Sequence, residues 1–157
     1  MKQAVAILPF LNLNNEPSED YFADGITEDV TTALSKNRWL TVVARNSAFS
    51  FRDSTDGIRV IGEKLGANYI VTGSVRKAGQ RVRITVQVVD AGTENSVWSE
   101  RFDRDTVDIF DLQDEITELV ASRIESELGM TEQRKSKRRA RKNLGAWDLY
   151  QLGVAEF

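Results

Sequence analysis

The chain has 157 residues, 41% hydrophobic and 29% charged, enough for one ordinary domain with a core that needs no metal or disulfide. It contains no cysteine and no histidine, which excludes thiolate nucleophiles, imidazole bases, disulfides and the usual zinc sites. The net charge of −3 is unevenly spread: RKSKRRARK, residues 134–142, carries seven positive charges and only Asp148 and Glu156 follow it, which leaves −8 on residues 1–133.

In chain order, QAVAILPF is a continuous apolar run interrupted by Pro9, which predicts a buried strand ending near Leu8. The run is too brief for a signal peptide or a membrane span. Ser18 is placed to cap a helix, with Glu19 and Asp20 against its positive end, and that helix is expected over residues 19–36. RWLTVVA, residues 38–44, reads as a second strand, and RNSAFSFRDST, residues 45–55, as a polar loop with embedded aromatics. A second helix is expected to open at Thr55 or Asp56. Ile58, Ile61 and Leu65 form its apolar stripe, and Gly66 closes it in the left-handed conformation.

Three strands follow, NYIVTGSVRK, RVRITVQVVD and SVWSERFDRD, with short turns at Lys77–Gln80 and around AGTEN. In the middle one Val82, Ile84, Val86 and Val88 alternate with Arg81, Arg83, Thr85 and Gln87, so one face should be buried and the other wet. The last long element, DIFDLQDEITELVASRIESEL, carries Ile109, Leu112, Ile116, Leu119, Val120 and Leu128 as a helical stripe. The order βαβαβββα predicts an α/β fold with a mixed sheet of about five strands: three parallel strands joined by crossovers, then antiparallel hairpins, with helices packed on the sheet. The expected domains are residues 1–129, a basic linker over 130–144, and the truncated start of a helical domain over 145–157.

The stretch EDYFADGITEDV, residues 19–30, holds five carboxylates and invites a metal or phosphate reading. At about 100° per residue, however, Asp20, Asp24 and Glu28 fall on the face opposite Phe22, Ile26, Val30 and Ala33. A solvated helix face explains that pattern better than a cation site. As a calcium loop the stretch has Phe22 where a ligand belongs and Thr31 where the closing Glu belongs. As an aspartyl-nucleophile site it again has Phe22 in place of the nucleophile. No phosphate-loop or dinucleotide glycine fingerprint occurs. Gly25 lies between the two helix faces, which predicts close packing against a neighbouring backbone.

The best small-ligand candidate is Arg45, Asn46 and Ser47, just after a parallel strand, where Arg45 could clamp an anion. The competing reading pairs Arg45 with a surface carboxylate. Phe49, Phe51 and Trp39 read as core rather than as a stacking platform. The basic run reads as a soluble linker, with a charged extension of the long helix or an anion-binding tail as alternatives. An acidic body beside it argues against nucleic acid.

Taken together, AVAILPFLNL, EDYFADGITEDVTTAL, WLTVVARNSAFSF, LGANYIVTGSVRKAGQRVRITVQVVDAGTENSVWSERFDRD and DIFDLQDEIT resemble the TolB amino-terminal-like domain. That domain is akin to the FlgO type. This version is similar to the one in multidomain bacterial adenylate/guanylate cyclases and CadC-like regulators, where tetratricopeptide repeats follow. Leu152 and Gly153 fit the Leu-Gly of a first repeat helix.

The resemblance implies a non-catalytic regulatory or protein-interaction module with no cofactor and no metal. Its partners would be another protein or adjacent domains of the same polypeptide, without nucleic acid. Membrane contact would come only through the parent protein. The cyclase aspartates and transition-state residues have no counterparts here, so the chain itself is not expected to be an enzyme. The absence of cysteine suits a cytoplasmic or a periplasmic setting equally, and an upstream membrane span would decide between them.

Overall fold

The computed structural model describes residues 3–14, 20–105 and 108–151, with side chains described to residue 141. Its elements are β1 (Gln3–Ile7), β2 (Leu11–Asn12), α1 (Asp20–Ser35), β3 (Leu40–Val42), α2 (Arg45–Phe49), α3 (Ile58–Leu65), β4 (Tyr69–Ala78), β5 (Arg81–Asp90), β6 (Ser96–Asp105) and α4 (Ile109–Gln151). Residues 1–125 and 126–157 form two separate compact units.

The strands build one mixed sheet in the order β3-β1-β4-β5-β6, with β2 beside β4. β1 runs parallel to β3 and β4, while β4-β5-β6 is an antiparallel meander with a bulge at Val88/Val89. The predicted mixed topology is therefore present, with β2 as an addition. Pro9 interrupts the first strand, and the chain rejoins the sheet two residues later, where Leu11 pairs with Ser74 and Asn12 with Val75. A two-residue strand has no periodicity to detect.

Two helical layers cover the sheet unequally. On one side α1 buries Phe22, Ile26, Val30 and Leu34, and the first half of α4 buries Leu112, Ile116, Val120 and Ile124. They face Val5 and Ile7 of β1 together with Val82, Ile84, Val86 and Val88 of β5, all at most 3% exposed. Salt bridges from Arg104 to Glu115 (3.1 Å) and from Glu100 to Arg123 (3.6 Å) fix α4 over β6. The true α4 stripe differs from the expected one: Ile124 belongs to it, whereas Ile109 is 41% exposed.

On the other side α2 and α3 form a smaller cluster, in which Ala6, Leu8, Ala48, Ile61, Ala67, Ile70 and Ala91 pack with Val43, Phe51, Ile58 and Leu65. The small residues let α3 come close: a Cβ on Gly62 would stand 2.6 Å from that of Ala91.

Several local expectations need correction. Residues 45–49 form the short helix α2 rather than the start of a polar loop. Ala44 is extended, the Ala48 amide bonds the Ala44 carbonyl at 3.1 Å, and Ala48 is buried. The second strand is only Leu40–Val42, and Trp39 lies outside it, 38% exposed. α3 begins at Ile58, with Gly57 at the N-cap position and no side-chain cap; Asp56 is drawn instead to Lys64 at 2.8 Å. Gly66 does close α3 with φ 67°, and Gly79 makes the hairpin turn with φ 62°. Ser18 and Glu19 lie outside the described residues, as do Leu152 and Gly153. The backbone stays helical from Ile109 through the basic run to Gln151, the alternative in which that run extends the long helix.

Candidate functional site

The acidic face of α1 meets the residues singled out after β3. Arg45 Nε lies 3.3 Å from Glu28 Oε2, and its guanidinium sits 4.3 Å above the Phe49 ring. Arg52 approaches the same ring at 5.3 Å and binds Asp24 Oδ1 at 2.9 Å. Phe49 is thus contacted by two arginines, each paired with a carboxylate from α1. The Phe49 ring therefore carries cation–π contacts in addition to the core role expected of it.

Arg45 also reaches Asn46 Oδ1 at 3.3 Å, while the Ser47 carbonyl accepts the Ser50 hydroxyl at 2.6 Å. The three candidate residues are therefore adjacent and exposed. Their one cation is occupied by Glu28. An anion arriving at Arg45 would have to displace that carboxylate. Each exposed pair is worth about 0.2–1 kcal/mol, so displacement is inexpensive, but nothing is prearranged to favour it.

The remaining acids of α1 are also engaged. Asp20 accepts from Asn12 Nδ2 at 2.8 Å, and Asp29 accepts from Gln113 Nε2 at 2.7 Å. The latter bond accounts for Gly25 and corrects the expectation of a backbone neighbour. A Cβ there would stand 2.8 Å from the Gln113 amide nitrogen, so the glycine leaves room for a side chain of α4. No cluster of three candidate metal ligands exists among the described residues.

α1 and α4 also border a polar groove of about 390 Å³ lined by Asp29, Lys36, Asp114, Thr117 and Glu118 among others. In its wall the Thr117 hydroxyl oxygen is buried without a hydrogen-bond partner. Elsewhere, Asp103 accepts from Arg83 Nε at 2.8 Å, with Arg101 Nε at 3.5 Å. The Arg83 hydrogen bond, opposed by partial desolvation and reinforced by the charges of Arg83, Arg101 and Arg81, holds its carboxyl below the ordinary carboxylate range. Lys64 does the same to Asp56. These are surface ladders and ties in which each carboxylate is paired with a neighbouring cation.

Comparison with known proteins agrees with this architecture. Residues 1–119 match the family described as the HilA/YgeH-like transcriptional regulator, second domain. Over 148 residues the chain is 42% identical to "Putative adenylate cyclase 3" of Rhizobium meliloti (strain 1021), covering 94% of this chain and 25% of that protein. The chain thus spans a quarter of that relative's length. Among solved structures, TolB from Acinetobacter baumannii superposes with a TM-score of 0.58 at 19% identity, over 82% of this chain and 28% of that one. Lipoprotein GNA1162 from Neisseria meningitidis gives 0.57 at 13% identity, over 79% of this chain and 99% of that one. At such identities these two speak for the fold alone. The mixed sheet, its two helical layers and the match over residues 1–119 make this chain a member of the HilA/YgeH-like regulator second-domain family, with the TolB amino-terminal-like fold.

Proposed function

We propose that the chain is a non-catalytic regulatory module that works by protein contact, in a signalling protein of the adenylate cyclase type. The observation that carries the reading is that the residues with the look of chemistry are spent on structure. Asp24 and Glu28 hold Arg52 and Arg45, and Asp29 holds Gln113. A relative named as a cyclase, of which this chain matches only 25%, supports a division of labour in which the chemistry lies in another part of the polypeptide.

The module would bind its partner and pass the change along α4, whose helical backbone continues through the basic run. The test is the output of the longer protein with and without this module. A changed activity or changed response to signal is expected on deletion, and unchanged output in every condition tried would sink the proposal. Under this reading, any helical-repeat domain after residue 145 serves as a further contact surface.

A second reading treats Arg45, Asn46 and Ser47 as the recognition point for a nucleotide or other phosphate compound. Their exposed position after the carboxyl end of parallel strand β3 supports it. Calorimetric titration of nucleoside phosphates into the wild-type chain and into Arg45→Ala tests this directly. Binding lost in the variant would favour the sensor, and heats of dilution alone in both would remove it.

A further inference from the structure

The antiparallel half of the sheet has a face that neither helical layer covers. The α2/α3 cluster takes in Ile70 of β4, whose register partner Val89 of β5 is also buried, and Ala91 just beyond β5. Beyond it the ladder sets Ser74, Thr85 and Arg101 in one cross-strand row and Arg76, Arg83 and Asp103 in the next. β2 extends the same face, since Leu11 is in register with Ser74 and Leu13 follows two residues on. Leu11 is 58% and Leu13 52% exposed.

Arg76 stands directly opposite Arg83, a like-charge arrangement that is mildly destabilising by itself. Among the described residues Arg76 has no ion pair, and it borders a shallow groove of about 270 Å³ with Arg81 and Arg83. On a body carrying −8 this basic, leucine-edged face is an anomaly that an acidic, partly apolar partner would resolve.

The same molecule carries such a surface. Where β6 ends and α4 begins, Asp105, Asp108, Asp111 and Glu115 line a hollow of about 300 Å³, and beside them Phe110 is 73% exposed. Asp105 is in register with Arg81, so the two surfaces meet at one end of the meander. Apart from Asp105, the acidic one belongs to α4, on the opposite side of the sheet from the arginine rows, so Phe110 and the α4 acids of one copy cannot close upon its own arginine rows.

We propose that the α4 start of one copy docks on the open β4-β5-β6 face of a second, with Phe110 against Leu11 and Leu13 and its flanking aspartates toward Arg76 and Arg83. The contact is head to tail, so it generates a ring or a filament rather than a two-fold dimer. A nucleic acid is disfavoured on this face because Asp103 sits among the arginines. The inference goes beyond the proposed function, which stands whether or not the module self-associates.

Sedimentation velocity on the full chain over a range of concentration and salt tests it. Association that weakens with salt is expected, together with loss of affinity by about tenfold or more in Arg76→Glu and, separately, in Phe110→Ser/Asp111→Lys. Each variant keeps one good surface, so mixing the two should produce a one-to-one complex. Circular dichroism on each variant guards against misfolding; should a variant fail to fold, Arg76→Ala and Phe110→Ala are milder replacements at exposed positions. A chain that is monomeric throughout, association insensitive to both variants, or variants that lose assembly yet fail to pair when mixed would each overturn the proposal.

Discussion

The two halves of the sheet solve the same burial problem differently, and β4 passes from one solution to the other. In the parallel half Val5, Ala6 and Ile7, like Tyr69, Ile70 and Val71, are at most 1% exposed in unbroken succession. Helices lie on both faces there, so every side chain meets protein. In the antiparallel half burial alternates: Val82, Ile84, Val86 and Val88 are inside, while Arg81, Arg83 and Gln87 are exposed. Hydrophobic patterning along a strand therefore reports how many of its faces are covered. A region patterned for one cover keeps the other face available for contact.

The largest expected effect sharpens this contrast. Ile84→Ala should destabilise by about 2–5 kcal/mol, whereas Gln87→Ala three positions on should stay within about 0.5 kcal/mol. Urea unfolding measures both. Equal costs would mean that the outer face is covered after all.

A smaller effect is expected where β4 changes over. A Cβ at Gly73 would stand 2.5 Å from the Phe10 ring, and that ring is buried against the strand. Gly73→Ala should cost about 1–3 kcal/mol through overpacking. Part of that loss should return when Phe10→Leu is added, a non-additivity visible in a double-mutant cycle. Strict additivity would break the claim that the ring occupies the glycine's space.

The smallest effect concerns the open face itself. The Asp103 carboxyl is held below its ordinary range in the folded chain. Its contribution to stability is complete above the unfolded carboxylate value near about 4 and is lost as the pH falls through the lower folded value. Asp103→Asn should flatten the acid limb of the stability profile below about pH 4 and leave the slope near neutrality unchanged. An unaltered acid limb would remove Asp103 from that balance.

How much was legible in the sequence follows from the range of each interaction. The alternation from Val82 to Val88 and the stripe of Phe22, Ile26 and Val30 are local periodicities, and both elements stand where the pattern put them. The parallel-then-antiparallel order follows from the lengths of the connections. α2 escaped because five residues with one buried side chain, Ala48, have no period to read.

The partners of α1 escaped for a different reason. Arg52 reaches Asp24 across 28 positions and Gln113 reaches Asp29 across 84, distances at which only the folded chain makes neighbours. Gly25 between the two faces of α1 predicts a close neighbour, but that neighbour is a side chain of α4. At the candidate ligand site, the competing reading pairs Arg45 with a surface carboxylate of unnamed origin, and the fold supplies Glu28. The leucines of β2 join the arginine rows through pairing with β4, which no local pattern reveals.

The central claim, that this module acts by protein contact and not by holding a small ligand, is tested most directly by thermal unfolding of the full chain with nucleotides, inorganic phosphate and divalent cations. The account predicts an unchanged midpoint with every compound. A compound present at about 100 times its dissociation constant would stabilise the fold by about 2.7 kcal/mol, so a rise of several degrees that disappears in Arg45→Ala would contradict it.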